Sequence, residues 1–274
     1  MLPTALLSRL RLADRLPATV LQATALQPPT ARRSVYHFRL TNRQDVKVRL
    51  VPRPQVRRRM ERWIPRLDWE LFPRIMGSHG RIVIEQWFRG PSLGDVAPTG
   101  NHFEESGRTL AMVHGAVPID TTNPRGGRFQ LRLEKLRRSL VSLCAAGTMS
   151  RGAAAEILDG VMQRLPPIAH WGLMHRDFSP ANLVLRRDKV CCIDNVDVAT
   201  GFLEEDLALT FFRWPMMEGE QRRFVHGYAS GAVADSWATH RPFWSALALV
   251  AAAAWRYRGG WPNVQEPLRQ LSAR

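Results

Sequence analysis

At 274 residues, with 45% hydrophobic residues and nine tryptophans, the chain can bury a substantial core, which excludes a disordered or collagen-like polymer. Its net charge of +15 and pI of about 11.2 raise nucleic acid or an anionic membrane as partners. The basic residues are nevertheless spread along the chain, densest at Arg57-Arg58-Arg59 with Arg62 and Arg66 following, and no aromatic-interleaved RNA-binding pattern accompanies them, so no nucleic-acid partner is expected. Three cysteines, two of them adjacent, give neither a disulfide framework nor a metal spacing, which fits a reducing, cytoplasmic setting. No stretch reaches the roughly 18 apolar residues of a membrane span.

In chain order, residues 5–26 place Leu6, Leu10 and Ala13 on one helical face, so a helix is predicted there, ended by Pro28-Pro29. This Arg-bearing start lacks the hydrophobic region and small-residue cleavage site of a secretory signal; an organellar transit peptide stands as its other reading. Residues 33–40 and 45–51 alternate and predict a hairpin about Thr41-Asn42-Arg43-Gln44, with Val46, Val48 and Leu50 on one face and Lys47, Arg49 and Val51 on the other. Residues 55–64 read as a helix with a Val56, Met60, Trp63 stripe, stopped at Pro65. Residues 69–76 read as a connection, 77–80 as a turn and 81–88 as a strand. Helices are predicted over 104–114 (Leu110, Met112 and Val113 near a terminal His114 read as structural), 129–145 (Leu131, Leu136, Leu140, Leu143, with Arg and Lys outward) and 153–165. Residues 211–214, 224–228 and 244–255 read as a helical cap packed by aromatics, with Trp214 either packing there or stacking on an acceptor ring.

The chemistry concentrates in residues 173–194. A loop presents Asp177, and Asn182 follows five residues later. Two short apolar runs, 183–185 and 190–193, flank a polar turn at 186–189 and fold Asp194 back beside Asn182. Phosphoryl transfer needs such a set: one carboxylate to orient the acceptor hydroxyl and take its proton, an amide and a second carboxylate as hard oxygen ligands for Mg²⁺. His175-Arg176-Asp177 with Asn182 matches the H-R-D-L-x-x-x-N spacing of kinase catalytic loops, with Phe178 in place of Leu. Downstream, Ile193-Asp194, Asp197, Gly201 and Asp206-Leu207-Ala208 stand in the order found in small-molecule kinases. On these residues the chain resembles the aminoglycoside phosphotransferase and choline kinase-type family of the protein kinase-like superfamily.

The resemblance implies an α+β, two-lobed protein kinase-like fold: a small antiparallel β-sheet lobe over 1–89 that binds nucleotide, and a larger, mostly helical lobe over 90–274 that carries catalysis and the acceptor. It implies ATP and Mg²⁺ as cofactors, Asp177 as the catalytic base, and Asn182 and Asp194 as metal ligands. It also implies a strand cation on the phosphates, paired with a helix carboxylate. Among the 39 basic residues only Lys47, Lys135 and Lys189 are lysine, and a compact point charge retained in an Arg-rich chain favours Lys47; Arg49, on the same face, remains the alternative. Glu61 is the only acid on the following helix and the expected partner. Glu85 and Trp87 fall in the segment expected to meet adenine, with Gly90 and Leu93 continuing the family pattern. The family's glycine-rich loop is missing, and Ser34 is the candidate phosphate contact in its place.

After Asp206, Glu218, Glu220, Asp235 and Glu266 face Arg213, Arg222, Arg223, Arg241, Arg256, Arg258, Arg269 and Arg274. That is a poor trap for a polycation, so a neutral or anionic hydroxyl compound is expected rather than an aminoglycoside. Two other readings remain: a protein kinase, against which stands the lack of D-F-G and A-P-E, and a kinase-like scaffold without transfer activity, which the missing glycine loop favours.

Overall fold

The computed structural model describes residues 16, 18–26, 34–123, 125–229 and 231–272. The fold is α+β and kinase-like. Contacts divide it into two compact units: residues up to Ala97 with Ala181–Val198, and Pro98–Pro180 with Ala199 onward. The expected lobe boundary near residue 89 put everything after it into one helical lobe; here the segment Ala181–Val198 packs with the N-terminal unit instead.

The first unit is a five-stranded antiparallel sheet, ordered β1(Val20–Ala25), β2(Ser34–Leu40), β3(Asp45–Leu50), β5(Ile82–Gln86), β4(Ile75–His79). Strict alternation separates its faces. Tyr36, Phe38, Leu40, Val46, Val48, Ile82 and Ile84 form one buried apolar cluster, each side chain contributing roughly 1.5–3 kcal/mol on burial. The opposite face carries the row His37, Lys47, Glu85, directly opposite one another across three strands. Helix α1(Pro54–Trp63) joins that second face through Val51, Met60, Ile64, Val83 and Val196.

Two expectations fail in this unit. Val20–Ala25 is a strand, not the end of a helix; the rest of the predicted helix, with Leu6, Leu10 and Ala13, lies outside the described residues. Pairing with β2, Ala23 opposite Phe38, satisfies the backbone and lets Val20 and Ala23 pack on the apolar cluster, which outweighs local helical preference. Ile75–His79 is a strand with a bulge between Ile75 and Gly77, and the turn shrinks to Gly80 and Arg81.

The hairpin β8(Leu183–Arg186) and β9(Lys189–Cys192) closes the unit. Arg187 and Asp188 both have positive φ (50° and 63°), as a tight hairpin turn of the right twist requires. The segment after β5 runs along β8: Leu93 N–H donates to Leu183 O (2.8 Å) and Leu185 N–H to Pro91 O (3.0 Å). Gly90 makes that approach possible. Its φ is +151°, and a Cβ there would run into the Leu185 carbonyl.

The second unit holds a three-stranded antiparallel sheet, ordered β10(Ala199–Phe202), β7(Ala169–Met174), β6(Asp120–Thr122), and helices α2(Gly100–Gly115), α3(Gly127–Ala145), α4(Arg151–Gln163), α5(Leu203–Arg213), α6(Glu218–Tyr228), α7(Gly231–Thr239), α8(Arg241–Gly259) and α9(Gln265–Ser272). None of these strands was expected. Aromatic rings from α3, β10 and α8 interlock at the centre: Phe129 lies 5.3 Å from Phe202 and 5.7 Å from Phe243, which meets Trp244 edge-on at 4.8 Å. Leu131, expected on the apolar face of its helix, is exposed, and Leu133 fills the core instead. Trp214 is a packing residue, stacked on Phe103 at 5.2 Å. Among the described residues no helix is long and apolar enough to cross a membrane.

Gly90→Ala is expected to destabilise the chain by about 2 kcal/mol, the scale of a non-glycine residue forced into a sparsely populated backbone region. Urea unfolding measures this; a loss below about 0.5 kcal/mol, typical of a neutral surface change, would show that the close approach to β8 is not required.

Candidate active site

In the sheet unit the hairpin sets Asn182 at its entry and Asp194 just past its exit. Ile193 N–H donates to Asn182 O (2.8 Å), which ties the two ends together. Asp194 adopts a left-handed backbone (φ 63°), a conformation Asp tolerates better than most residues. The turn that follows is held against α1: Arg59 Nη2 donates to Val196 O (2.8 Å) and to Asp197 Oδ1 (3.2 Å).

The strand cation that reaches this turn is Arg49. Its Nη2 lies 2.6 Å from Asp194 Oδ1, and its Nε donates to Glu85 Oε2 (3.1 Å). Burial works against the Arg49 charge, but the two carboxylates more than offset it and raise its pKa further. Lys47 is buried on the same face and forms no ion pair among the described residues. Desolvation, then the neighbouring Arg49, pushes its pKa down.

The expected pairing of Lys47 with Glu61 is therefore corrected. Glu61 accepts from Arg57 Nη1 (2.5 Å) and from the Ser78 hydroxyl. An i,i+4 arginine on its own helix captures it locally. Glu85, expected at the adenine segment, is instead a buried partner of Arg49. Trp87 stacks on His37 (ring centroids 4.2 Å apart, 24° between planes), and His37 Nε2 lies 3.0 Å from Asp45 Oδ1. Ser34, opposite Leu50 in register, shares the face of Tyr36 and Phe38, not that of Lys47 and Arg49.

In the helical unit the loop after β7 presents His175, Arg176 and Asp177. Its backbone is fixed by one carboxylate. Asp206 Oδ2 accepts from His175 N–H (2.6 Å) and Oδ1 from Arg176 N–H (2.8 Å). His114 Nε2 sits 3.1 Å from the same Oδ2, and its Nδ1 lies 2.5 Å from the Tyr228 hydroxyl. Burial alone would raise the Asp206 pKa; the His114 contacts, His175 and the backbone donors outweigh it and hold the carboxyl below its usual range. His114 is thus structural. Asp177 N–H donates to His175 Nδ1 (3.3 Å), and Arg176 is held at φ 70°, a strained conformation of the kind that clusters at functional sites.

The far end of the same helix grips the same loop. Arg213 Nε lies 3.4 Å from Asp177 Oδ1, and its Nη1 donates to the Arg176 carbonyl. Asp206 and Arg213 are seven residues apart, two helical turns, and so share one face of α5. Arg213 was missed in the sequence as a partner of the loop; the signal was that spacing.

The family model for the phosphotransferase enzyme family matches residues 24–243. The chain belongs to this family. Solved structures similar to this phosphotransferase-family chain include a macrolide 2'-phosphotransferase from Brachybacterium faecium (17% identity, 95% of this chain and 96% of that one, TM-score 0.64). Others are an ethanolamine kinase from Plasmodium vivax (11%, 92% and 81%, 0.65) and a choline kinase from Cryptosporidium parvum (11%, 98% and 94%, 0.66). At these identities they share its fold. No curated protein sequence matches the chain.

Asp206→Asn should cost about 3 kcal/mol at pH 7, since breaking a buried charged network by changing one partner leaves the others uncompensated. A carboxyl whose folded pKa is lowered adds stability that is fully present above its unfolded value near 3.8 and is lost as pH falls through the folded value. The stability gap between the native chain and the variant should therefore be full at pH 7 and close below about pH 4. Denaturation midpoints across that range check it; a gap independent of pH would contradict the ionised pairing.

Proposed function

We propose that this protein transfers the γ-phosphoryl group of ATP, with Mg²⁺, to a hydroxyl of a small molecule. The observation that carries this reading is the Asp177 loop, pinned through two backbone N–H groups by the buried Asp206 carboxylate, in a chain whose H-R-D-x-x-x-x-N spacing leads into the hairpin that returns Asp194 to Asn182. In a loose, metaphosphate-like transition state, positioning and charge stabilisation dominate over covalent chemistry by the protein. A carboxylate held by a rigid backbone on a defined loop suits that task.

The donor set fits the cofactors. Asp194 and Asn182 supply one carboxylate and one amide oxygen, the small, hard set that Mg²⁺ uses when waters and phosphates complete its shell. Among the described residues no group of three or more His, Cys, Asp and Glu could hold a metal by itself. Lys47, buried and without an ion pair among the described residues, lies beside Arg49 on one face of the sheet, where a polyphosphate would give it a partner. When bound, Mg²⁺ would neutralise the charge on the transferred group.

This chain's own residues then act as follows. Asp177 aligns the acceptor hydroxyl and takes its proton as the acceptor oxygen bonds to phosphorus and the bond to the leaving ADP oxygen breaks. Asn182 and Asp194 hold the metal. Lys47 and Arg49 fix the phosphates, and Trp87 offers a flat apolar surface to the base.

Asp177→Asn keeps shape and some hydrogen bonding but cannot take the proton. It is expected to leave ATP affinity within about threefold and to lower kcat by about 10²–10⁴, the range of general-base removal. Nucleotide calorimetry and ATP turnover on the same preparation test this; unchanged turnover would defeat the assignment and favour the scaffold reading. Lys47→Ala and Arg49→Ala divide the cation's role. Lys47→Ala should weaken Mg²⁺-ATP binding by at least about tenfold with little loss of stability, while Arg49→Ala should destabilise the fold by about 3 kcal/mol, because it strands two carboxylates. A silent Lys47→Ala would assign the phosphates to Arg49 alone.

A further inference from the structure

We propose that the acceptor carries an anionic group beside its reactive hydroxyl, a carboxylate or a phosphate ester, and that Arg213 is the specificity-determining residue that holds it. This rests on the phosphotransfer reading above and names the class of acceptor within it.

Arg213 is the last residue of α5, where the helix dipole favours a cation. Its planar fork makes two contacts with the catalytic loop, and both are to the backbone or side chain that performs the chemistry: Nη1 to the Arg176 carbonyl and Nε to Asp177 Oδ1. The second contact is long at 3.4 Å, and both side chains are partly open, 25% exposed for Arg213 and 38% for Asp177. A guanidinium presents five N–H donors, so donors remain after these contacts. The arginine that orients the carboxylate can therefore also meet an acceptor.

The surroundings are uncompensated. Arg132 is neutralised by a bidentate pair with Glu205, two contacts of 2.6 Å, and Asp206 is spent on the loop backbone and His114. Arg176, Lys135 and Arg258 have no ion pair among the described residues. Their closeness is visible in Lys135, whose ammonium is held below its usual range first by desolvation and then by Arg132, Arg176 and Arg258, against Glu205. At the loop itself Arg176 and Arg213 stand against Asp177, one positive charge in excess, and the exposed Lys135 feels Arg176. A cationic acceptor would approach the catalytic carboxylate through that field and would find Asp177 already paired. An anionic group would be drawn in and would engage the guanidinium fork. It would at the same time compete with Asp177 for Arg213, leaving the carboxylate free to face the hydroxyl proton. Recognition of the acceptor and release of the base thus come from one contact.

The experiment is calorimetric titration of the full chain, loaded with Mg²⁺ and a non-hydrolysable ATP analogue, with four related probes: glycerol, D-glycerate, glycerol 3-phosphate and ethanolamine. At least one of the two anions should bind about tenfold or more tighter than glycerol, the order expected of a charge-assisted bidentate contact, and ethanolamine weakest. Comparison of D-glycerate with glycerol 3-phosphate separates a carboxylate site from a phosphate site. Arg213→Gln should reduce the anion preference to below about threefold and Arg213→Lys should keep part of it, since Lys retains the charge without the fork; both should bind the ATP analogue as the native chain does. Anions that bind no tighter than glycerol, ethanolamine as the tightest probe, or a preference that survives Arg213→Gln would each overturn the inference. The comparison among probes on the native chain decides even if a variant misfolds. Failure of the ATP analogue to bind with Mg²⁺ would instead overturn the phosphotransfer reading on which the inference rests.

Discussion

The Asp206 carboxylate, fully buried and held below its usual pKa range, is the constraint on which the Asp177 loop depends. An unpaired charge there would be prohibitively costly, so the fold must bring donors to it. It does so with two consecutive backbone N–H groups of the loop and with His114, itself met by the Tyr228 hydroxyl. Because those donors belong to His175 and Arg176, satisfying the charge also fixes the backbone from which Asp177 projects. The two residues before it, Glu204 and Glu205, serve other elements: Glu204 accepts from the His170 backbone and ring on β7, and Glu205 binds Arg132 on α3. Successive helical residues point about 100° apart, so three adjacent acids reach three neighbours. All three sit in the first turn of α5, where the helix dipole favours negative charge.

The sheet unit uses buried charge differently. Arg49, Glu85 and Asp194 form a chain of two ion pairs between the sheet and the hairpin turn. Such pairs contribute little net stability, because desolvation consumes most of the Coulomb gain, but they fix geometry, since breaking either is costly. The consequence is that the turn bearing Asp194 is registered against β3, while Arg59 holds its other side to α1. The hairpin is therefore built into the sheet unit by charge as well as by the Gly90 segment along β8.

Much of this was legible in the sequence where spacing is short and chemistry dense. The H-R-D-x-x-x-x-N run, the hairpin after it and the two faces of β3 could be read because loop length and period-two alternation are local properties. What depended on distant partners could not. Glu61 was matched to Lys47 by elimination, yet an arginine four residues earlier on the same helix takes it. Val20–Ala25 carries no strand signal strong enough to outvote a helical pattern until β2 lies alongside. Leu131 and Leu133 differ by two positions on one helix, and only the packing of Phe129 against α8 decides which is inside. Arg213 could not be linked to Asp177 without knowing that α5 runs beside the loop. Trp214 read foremost as core packing with a ligand contact as the alternative, and Phe103 stacked upon it decides for the core.

The distribution of arginine partners separates structural charge from charge that awaits a ligand. Arg49, Arg59 and Arg132 are each matched by a carboxylate. Elsewhere cations lack a carboxylate of their own: Lys47, buried beside Arg49, forms no ion pair among the described residues in one unit, and Arg176 and Arg213 flank the single carboxylate of Asp177 in the other. Burial first, and neighbouring arginines after it, hold the ammonium groups of Lys47 and Lys135 below their usual range. With 24 acids against 39 basic residues the chain cannot pair every cation, and a neutral residue at these positions would relieve the repulsion. A repulsive cluster that packing does not require is explained when an anion covers it in use. One such group lies on the sheet face for which a polyphosphate is proposed, and the other adjoins Asp177, the carboxylate proposed to receive the acceptor.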